Sequence, residues 1–139
     1  MKIITEKFTV NTKGNCDIIN ITENIRKLIN KHKFSEGNAS VFSVGSTASI
    51  STIEYEPGLK KDLPEILDKL IPPGVRYNHD DTWGDRNGHA HLRSTLIGCS
   101  QTIPFESGEM LLGKWQQIVL IDFDDRPRTR KVVVQLIGE

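Results

Sequence analysis

Two hydrophobic periods alternate along this chain, and their order constrains the fold more than any other feature. Residues 2–10 (KIITEKFTV) alternate apolar and polar with the period of two that a half-buried strand requires. From Asp17 to Lys33 the period changes, and Ile18, Ile21, Ile25, Leu28 and Ile29 fall on one helical face. Asp17 or Thr22 can cap that helix, and the polar SEGN at 35–38 ends it. Residues 39–55 are rich in β-branched and small side chains, which predicts a strand, a bend near Gly45 and a second strand. A second helical stripe follows Pro57-Gly58, made of Leu59, Leu63, Ile66, Leu67 and Leu70. Pro64 fits only a first turn, so the regular helix is expected from about Asp62 until Pro72-Pro73-Gly74 stops it.

The chain is then polar as far as Asn87, and a connection of that length is usually functional or disordered. What remains predicts strands at 89–103, 109–112, 115–123 and 130–137, broken by Pro104, Gly108, Gly113 and the DDRPR turn. Strands outnumber helices and the last third carries no helix. The expected fold is therefore α+β, an antiparallel sheet or sandwich with two helices, and 139 residues suit a single domain spanning 1–139.

Charge and composition narrow the function classes. Lys plus Arg equals Asp plus Glu at 18 each, and aromatics are 6%, a poor basis for nucleic-acid binding. The opening MKIITEKFTVNTKG lacks the apolar run of a secretory signal, and no stretch is apolar enough to span a membrane. Cys16 and Cys99 have no CxxC spacing, and Cys99 reads as a small buried residue. The expectation is a cytoplasmic protein with neither membrane nor nucleic-acid partner.

Chemistry-bearing residues crowd the stretch from His79 to Arg130. His79, His89 and His91 lie close in sequence, and on a strand His89 and His91 would share a face. With His79 and one of Asp80, Asp81 or Asp85 folded back, they would offer a zinc-type donor set; surface histidines in a polar loop are the plainer reading. His32, near the end of the first helix, reads as a cation at a helix C-terminus. Arg128 and Arg130 alternate across Thr129, and two forked donors on one face suit a phosphate or pyrophosphate. The alternative is a solvated turn in which the arginines pair with Asp122, Asp124 and Asp125. Gln116 carries an amide into an apolar strand and so needs partners, while Trp115 suits a core or subunit interface as well as a ligand platform. Ser46 and Thr47 offer hydroxyls on a flexible GSTAS turn that is not a P-loop.

The order of these pieces resembles the YjbQ-like family. It runs His79, Asn87-Gly88-His89-Ala90-His91-Leu92, Leu96-Ile97-Gly98-Cys99-Ser100, Ile103-Pro104, Gly108 and Leu112-Gly113-Lys114-Trp115-Gln116. Arg128-x-Arg130 before VVVQLIGE, and upstream Ser46-Thr47-Ala48-Ser49, Glu54 and Asp62-Leu63, extend the likeness over nearly the whole chain. The resemblance implies a β-sandwich of about seven strands with two helices, assembled as a homotrimer. It also implies a weak secondary thiamine-phosphate synthase activity, joining hydroxymethylpyrimidine diphosphate to thiazole phosphate with release of diphosphate.

Carried over residue by residue, it implies catalytic roles for His91, His79 and Glu54. By their own chemistry, Arg128, Arg130, Ser46, Thr47, Asn87 and Gln116 would hold the phosphorylated ligand, and His79, His89 and His91 a divalent metal, zinc or magnesium, although other members often carry an acid or a small residue at the position of His89. Magnesium prefers oxygen donors, which makes a histidine-rich site an awkward host. Many members carry a histidine where this chain has Gly45, and His89 is the residue expected to replace it. Two other function classes stay open: a zinc-type hydrolase, and a trimer that binds a small anionic metabolite without chemistry.

Overall fold

The alternating N-terminal segment forms β1 (Lys2–Asn11) in the computed structural model, which describes residues 1–139. Asp17–Asn20 pairs as β2 instead of opening the first helix, so α1 runs Thr22–Lys31. The switch is local. The Asn20 side-chain oxygen accepts from the Thr22 N–H at 3.0 Å and from its hydroxyl at 2.7 Å, turning the chain from strand into helix. The apolar stripe holds, with Ile21, Ile25 and Ile29 all buried.

β3 (Gly37–Val44) and β4 (Ala48–Glu54) flank the expected bend, but they belong to different sheets, and Gly45–Thr47 carries the chain from one layer to the other. α2 (Pro57–Leu70) begins at Pro57, where the Glu56 carboxylate accepts from the Gly58 and Leu59 amides. Pro64 thus sits inside the helix and not in its first turn. The helix tolerates it because the carbonyl that loses a donor, on exposed Lys60, can turn to water.

The largest departure lies at 89–97. After the short α3 (Asp80–Trp83), these residues form α4 (Gly88–Ile97), not a strand. The alternation of His89 and His91 misleads. Ala90, Ser94 and Ile97, spaced four and three apart, mark the packed face at the helical period. The Ser94 hydroxyl donates to the Ala48 carbonyl at 2.6 Å, and the Ser49 hydroxyl to the Ser94 carbonyl at 3.3 Å, fixing α4 to β4.

β5 (Ser100–Glu106), β6 (Glu109–Met110), β7 (Gln116–Asp122) and β8 (Thr129–Gly138) complete the chain. One sheet runs β1-β8-β3-β5-β6 and the other β2-β7-β4, with every pairing antiparallel. The α+β sandwich expected from the sequence is present, with eight strands and four helices.

β7 explains the layering. Ile118 and Leu120 pack into the space between the sheets with Val41, Ile50, Val132, Val134 and α1. Val119 and Ile121 face the opposite way, onto Leu67 of α2 and Ala90 of α4. A strand buried on both faces reads as an unbroken apolar run, and IVLI at 118–121 is that run. Each such side chain contributes roughly 1.5–3 kcal/mol by its burial. β7 therefore anchors three layers at once, and its last residue, Asp122, is held rigidly at the edge of the core.

Candidate functional site

At that edge four segments converge: the end of β7, the start of β8, the Gly45–Thr47 crossing and the loop leading into α4. They enclose a cleft of about 360 Å³ lined by Ser46, Thr47, His79, Trp83, Asp85, Asn87, His91, Asp124, Arg128 and Arg130, with Gly45 at its rim. Its foundation is two ion pairs whose carboxylates are buried. Asp122, fully buried, accepts from Nε and Nη2 of Arg130 at 2.7 Å each, and from the Thr12 hydroxyl at 2.6 Å. Asp124, also fully buried, accepts from Nε and Nη2 of Arg128 at 3.0 and 2.7 Å. It further accepts from the Thr47 hydroxyl, the Asn87 amide and the Asp125 backbone N–H.

Burial alone would push the Asp124 carboxyl up. The Asp125 N–H, the Arg128 guanidinium and the Asn87 amide together hold it well below the usual carboxylate range. Arg128 and Arg130 therefore do pair with aspartates, Arg130 in the interior and Arg128 half-buried beside it, while Arg126 stays exposed. The pairing leaves something over. Every side-chain hydrogen bond of Arg128 and Arg130 runs through Nε or Nη2, so both Nη1 groups remain unengaged. Arg130 Nη1 faces the crossing turn, where a Cβ on Gly45 would stand 3.1 Å from it. Gly45 has a φ of +136°, so its lack of a side chain serves both the backbone and the space beside the guanidinium.

The histidines divide. His79 and His91 come together with ring centroids 4.4 Å apart. His79 Nε2 lies 3.1 Å from an Asp85 carboxylate oxygen and 3.1 Å from the Asn87 side-chain oxygen. Of the three acids considered from the sequence, Asp85 is the one that meets this ring. Burial, then the neighbouring His79, holds the His91 pKa below the ordinary imidazole value, which favours a neutral ring.

His89 does not join them. On a helix two positions apart means about 200° of rotation, so His89 turns inward while His91 meets the cleft. It is 6% exposed, and its Nδ1 is buried without a partner. Burial, then the Arg93 charge, depresses its pKa as well. His89 therefore does not take the place of a donor missing at Gly45, and the trio His79, His89, His91 does not fit a metal ion. No group of three His, Cys, Asp or Glu side chains is arranged to hold one anywhere in the molecule.

Glu54 and Gln116 also lie elsewhere. They pair across β4 and β7, at the end of those strands opposite Asp122, a separation of ~20 Å at strand rise. The amide of Gln116 finds its partners there, accepting from the Gly113 N–H at 3.0 Å and donating to the Thr52 hydroxyl at 3.0 Å. Trp115 is exposed beside them, with the Lys114 ammonium 4.9 Å from its ring centroid. From the sequence, Asp122 and Asp124 read only as partners for surface arginines. The available signal was an acid inside an apolar strand, repeated two residues on in DFD and mirrored by Arg128-x-Arg130 across the turn. Trp83, 80% exposed at the cleft mouth, was missed because nothing in its neighbourhood marks it.

No helix is long and apolar enough to cross a membrane. Residues 6–139 match the model of the family described as UPF0047 protein YjbQ-like. A UPF0047 protein of Archaeoglobus fulgidus is 37% identical over 131 residues, covering 94% of this chain and 99% of that protein. The crystal structure of a YbjQ-like protein of unknown function from Sulfolobus solfataricus superposes with a TM-score of 0.93 at 28% identity, covering 99% of each chain. A YjbQ/UPF0047 family protein from Clostridium acetobutylicum superposes with a TM-score of 0.87 at 35% identity, covering 95% of this chain and 99% of that one.

Proposed function

The chain belongs to the UPF0047 YjbQ-like family, and from that membership and the cleft we propose that it acts on phosphorylated small metabolites as a secondary thiamine-phosphate synthase. The observation that carries this reading is the pair of guanidinium groups that keep Nη1 free at a cleft shared with His79 and His91. In the reaction, the bond between the pyrimidine methylene carbon and the diphosphate oxygen breaks, and its electron pair leaves with diphosphate. The lone pair of the thiazole nitrogen forms the new C–N bond. Charge therefore builds on the leaving diphosphate, and preorganised cationic donors are what stabilise it.

Arg128 and Arg130 supply those donors, and Asp122 and Asp124 fix their planes before any ligand arrives. Ser46, exposed on the crossing turn, contributes a neutral hydrogen bond, and buried Asn87 links Asp124 to His79. His91, held neutral, contacts the ligand as donor or acceptor. Alignment of the two reactants supplies the rest of the rate. No step in this reading passes through a metal ion, and Glu54 and Gln116 take no part in the same protomer.

The same reading takes the protein as a cytoplasmic homotrimer. Support for assembly comes from the outer face of the larger sheet, where Phe42 and Val44 of β3 and Ile137 of β8 are exposed and Lys131 is the one charge on those two strands' outward positions.

The test is formation of thiamine phosphate from the two phosphorylated precursors, with and without chelator, by the native chain and by His91→Ala. The expected result is product that survives chelator and is lost at least tenfold in the variant. Product abolished by chelator restores a metal role, and product undiminished in His91→Ala moves the chemistry out of this cleft. Absence of product from folded protein leaves the binder or the hydrolase as the better description.

A further inference from the structure

Asp124 touches Arg128, Thr47 and Asn87 at once, and the last of these contacts has a consequence for His79. An ionised carboxylate only accepts hydrogen bonds, so the Asn87 group 3.3 Å from Asp124 Oδ1 must be its NH2. That fixes the amide the other way round, with the Asn87 oxygen directed at His79 Nε2, 3.1 Å away. The second neighbour of Nε2 is a carboxylate oxygen of Asp85, also 3.1 Å away and again an acceptor. A ring nitrogen facing two acceptors must carry the proton. The other nitrogen, Nδ1, makes no hydrogen bond in the protein and is not buried, and the ring lines the cleft.

We propose that Asp124 is a positioning residue which, acting through the side-chain amide of Asn87, locks His79 as its Nε2–H tautomer and leaves the Nδ1 lone pair for the ligand. The cleft then presents both polarities: the guanidinium Nη1 groups offer donors and the His79 lone pair offers an acceptor. The ligand class this selects is a phosphorylated molecule that also carries an N–H or O–H donor. The carboxylate that aims Asn87 also holds Arg128, so a single buried side chain sets both polarities.

This rests on the cleft being the ligand site, but the tautomer is measured without any ligand or turnover, so the two ideas fail separately. The experiment is long-range ¹H–¹⁵N correlation of the imidazole rings in ¹⁵N-histidine-labelled full-length protein at pH 8, with His79 assigned by a His79→Gln variant. The native chain is expected to show a pyrrole-type Nε2 and a pyridine-type Nδ1 at His79. In Asp124→Asn the new amide can donate to the Asn87 oxygen and reverse that side chain, so the Nε2–H signature is expected to be lost or mixed with the Nδ1–H form. Asn87→Leu, which leaves the Arg128 and Thr47 contacts of Asp124 in place, serves if Asp124→Asn does not fold, with loss of the pure Nε2–H signature again expected. An Nδ1–H tautomer in the native chain overturns the proposal. So does a pure Nε2–H tautomer that persists in folded Asp124→Asn or, where that variant does not fold, in Asn87→Leu, since Asp85 alone would then account for it.

Discussion

Asp122 and Arg130 set the energetic character of the site at the residue scale. Both are almost wholly removed from water, at 0% and 7% exposure, and the pair is made through two hydrogen bonds. Removing one partner strands the other, which typically costs about 3–5 kcal/mol. Asp122→Asn is expected to lower stability by about that amount in urea unfolding, whereas Asp85→Asn, at a half-exposed carboxylate, changes it little. Acid should act on the neighbouring groups in one direction. Asp124 is ionised below its ordinary pKa of 3.8, so its contribution is complete above about pH 4 and is lost as pH falls further. His89 and His91 have pKa values below 6.5, so the unfolded chain takes up protons first as pH drops through 6.5, and stability declines there too. Urea midpoints measured at pH 7.5, 5.5 and 3.5 should fall in that order, and His89→Gln should flatten the first step. A midpoint that rises between pH 7.5 and 5.5 would contradict the assignment of depressed histidines.

α4 is the element on which the cleft depends, and it is also where the sequence misleads. Its N-terminal turn presses against the preceding loop, where a Cβ on Gly88 would stand 2.7 Å from Tyr77 Cβ. Tyr77 is tied in turn to the Pro72 carbonyl at 2.6 Å, and two residues later comes His79. Gly88→Ala is therefore expected to cost about 1–3 kcal/mol of stability by overpacking. It should also shift the His79 and His91 ring signals, because the loop must yield; unchanged spectra would show that the contact relaxes without reaching the site.

Most elements were readable because their period is set by burial on one face: β1, the Ile21–Ile25–Ile29 stripe, and β7 with its two buried faces. Helix α4 was not, because its polar buried residues, His89, Arg93 and Ser94, hide the apolar period and leave only Ala90 and Ile97 to show it. The error carried into the site. Read as a strand, His89 joins His91; wound as a helix, it turns away. His79, Asp85, Asn87, His91, Arg128 and Arg130 were all identifiable by residue type and do meet. Glu54 and Gln116 did not, since strand register places them at the far end of the sheet.

At the scale of the whole molecule, the two sheets are covered unequally. The helices α2 and α4 cover the outer side of the smaller sheet, and no element covers the corresponding side of the larger one. Assembly through that face is expected, with sedimentation giving a trimer for the native chain and a monomer for the double variant Phe42→Glu, Val44→Glu. A native chain that sediments as a monomer at micromolar concentration would remove the trimer from this description.

Phosphate groups are expected to bind between Arg128 and Arg130 in the cleft that holds His79 and His91. Titrating inorganic pyrophosphate into ¹⁵N-labelled protein, while following arginine and histidine side-chain signals, tests it directly. The expected result is saturable movement of Arg128, Arg130, His79 and His91, at least tenfold weaker in Arg128→Gln, with the Trp115 and Gln116 signals still. Movement confined to Trp115 and its neighbours, or no saturable movement at the two arginines, would contradict it.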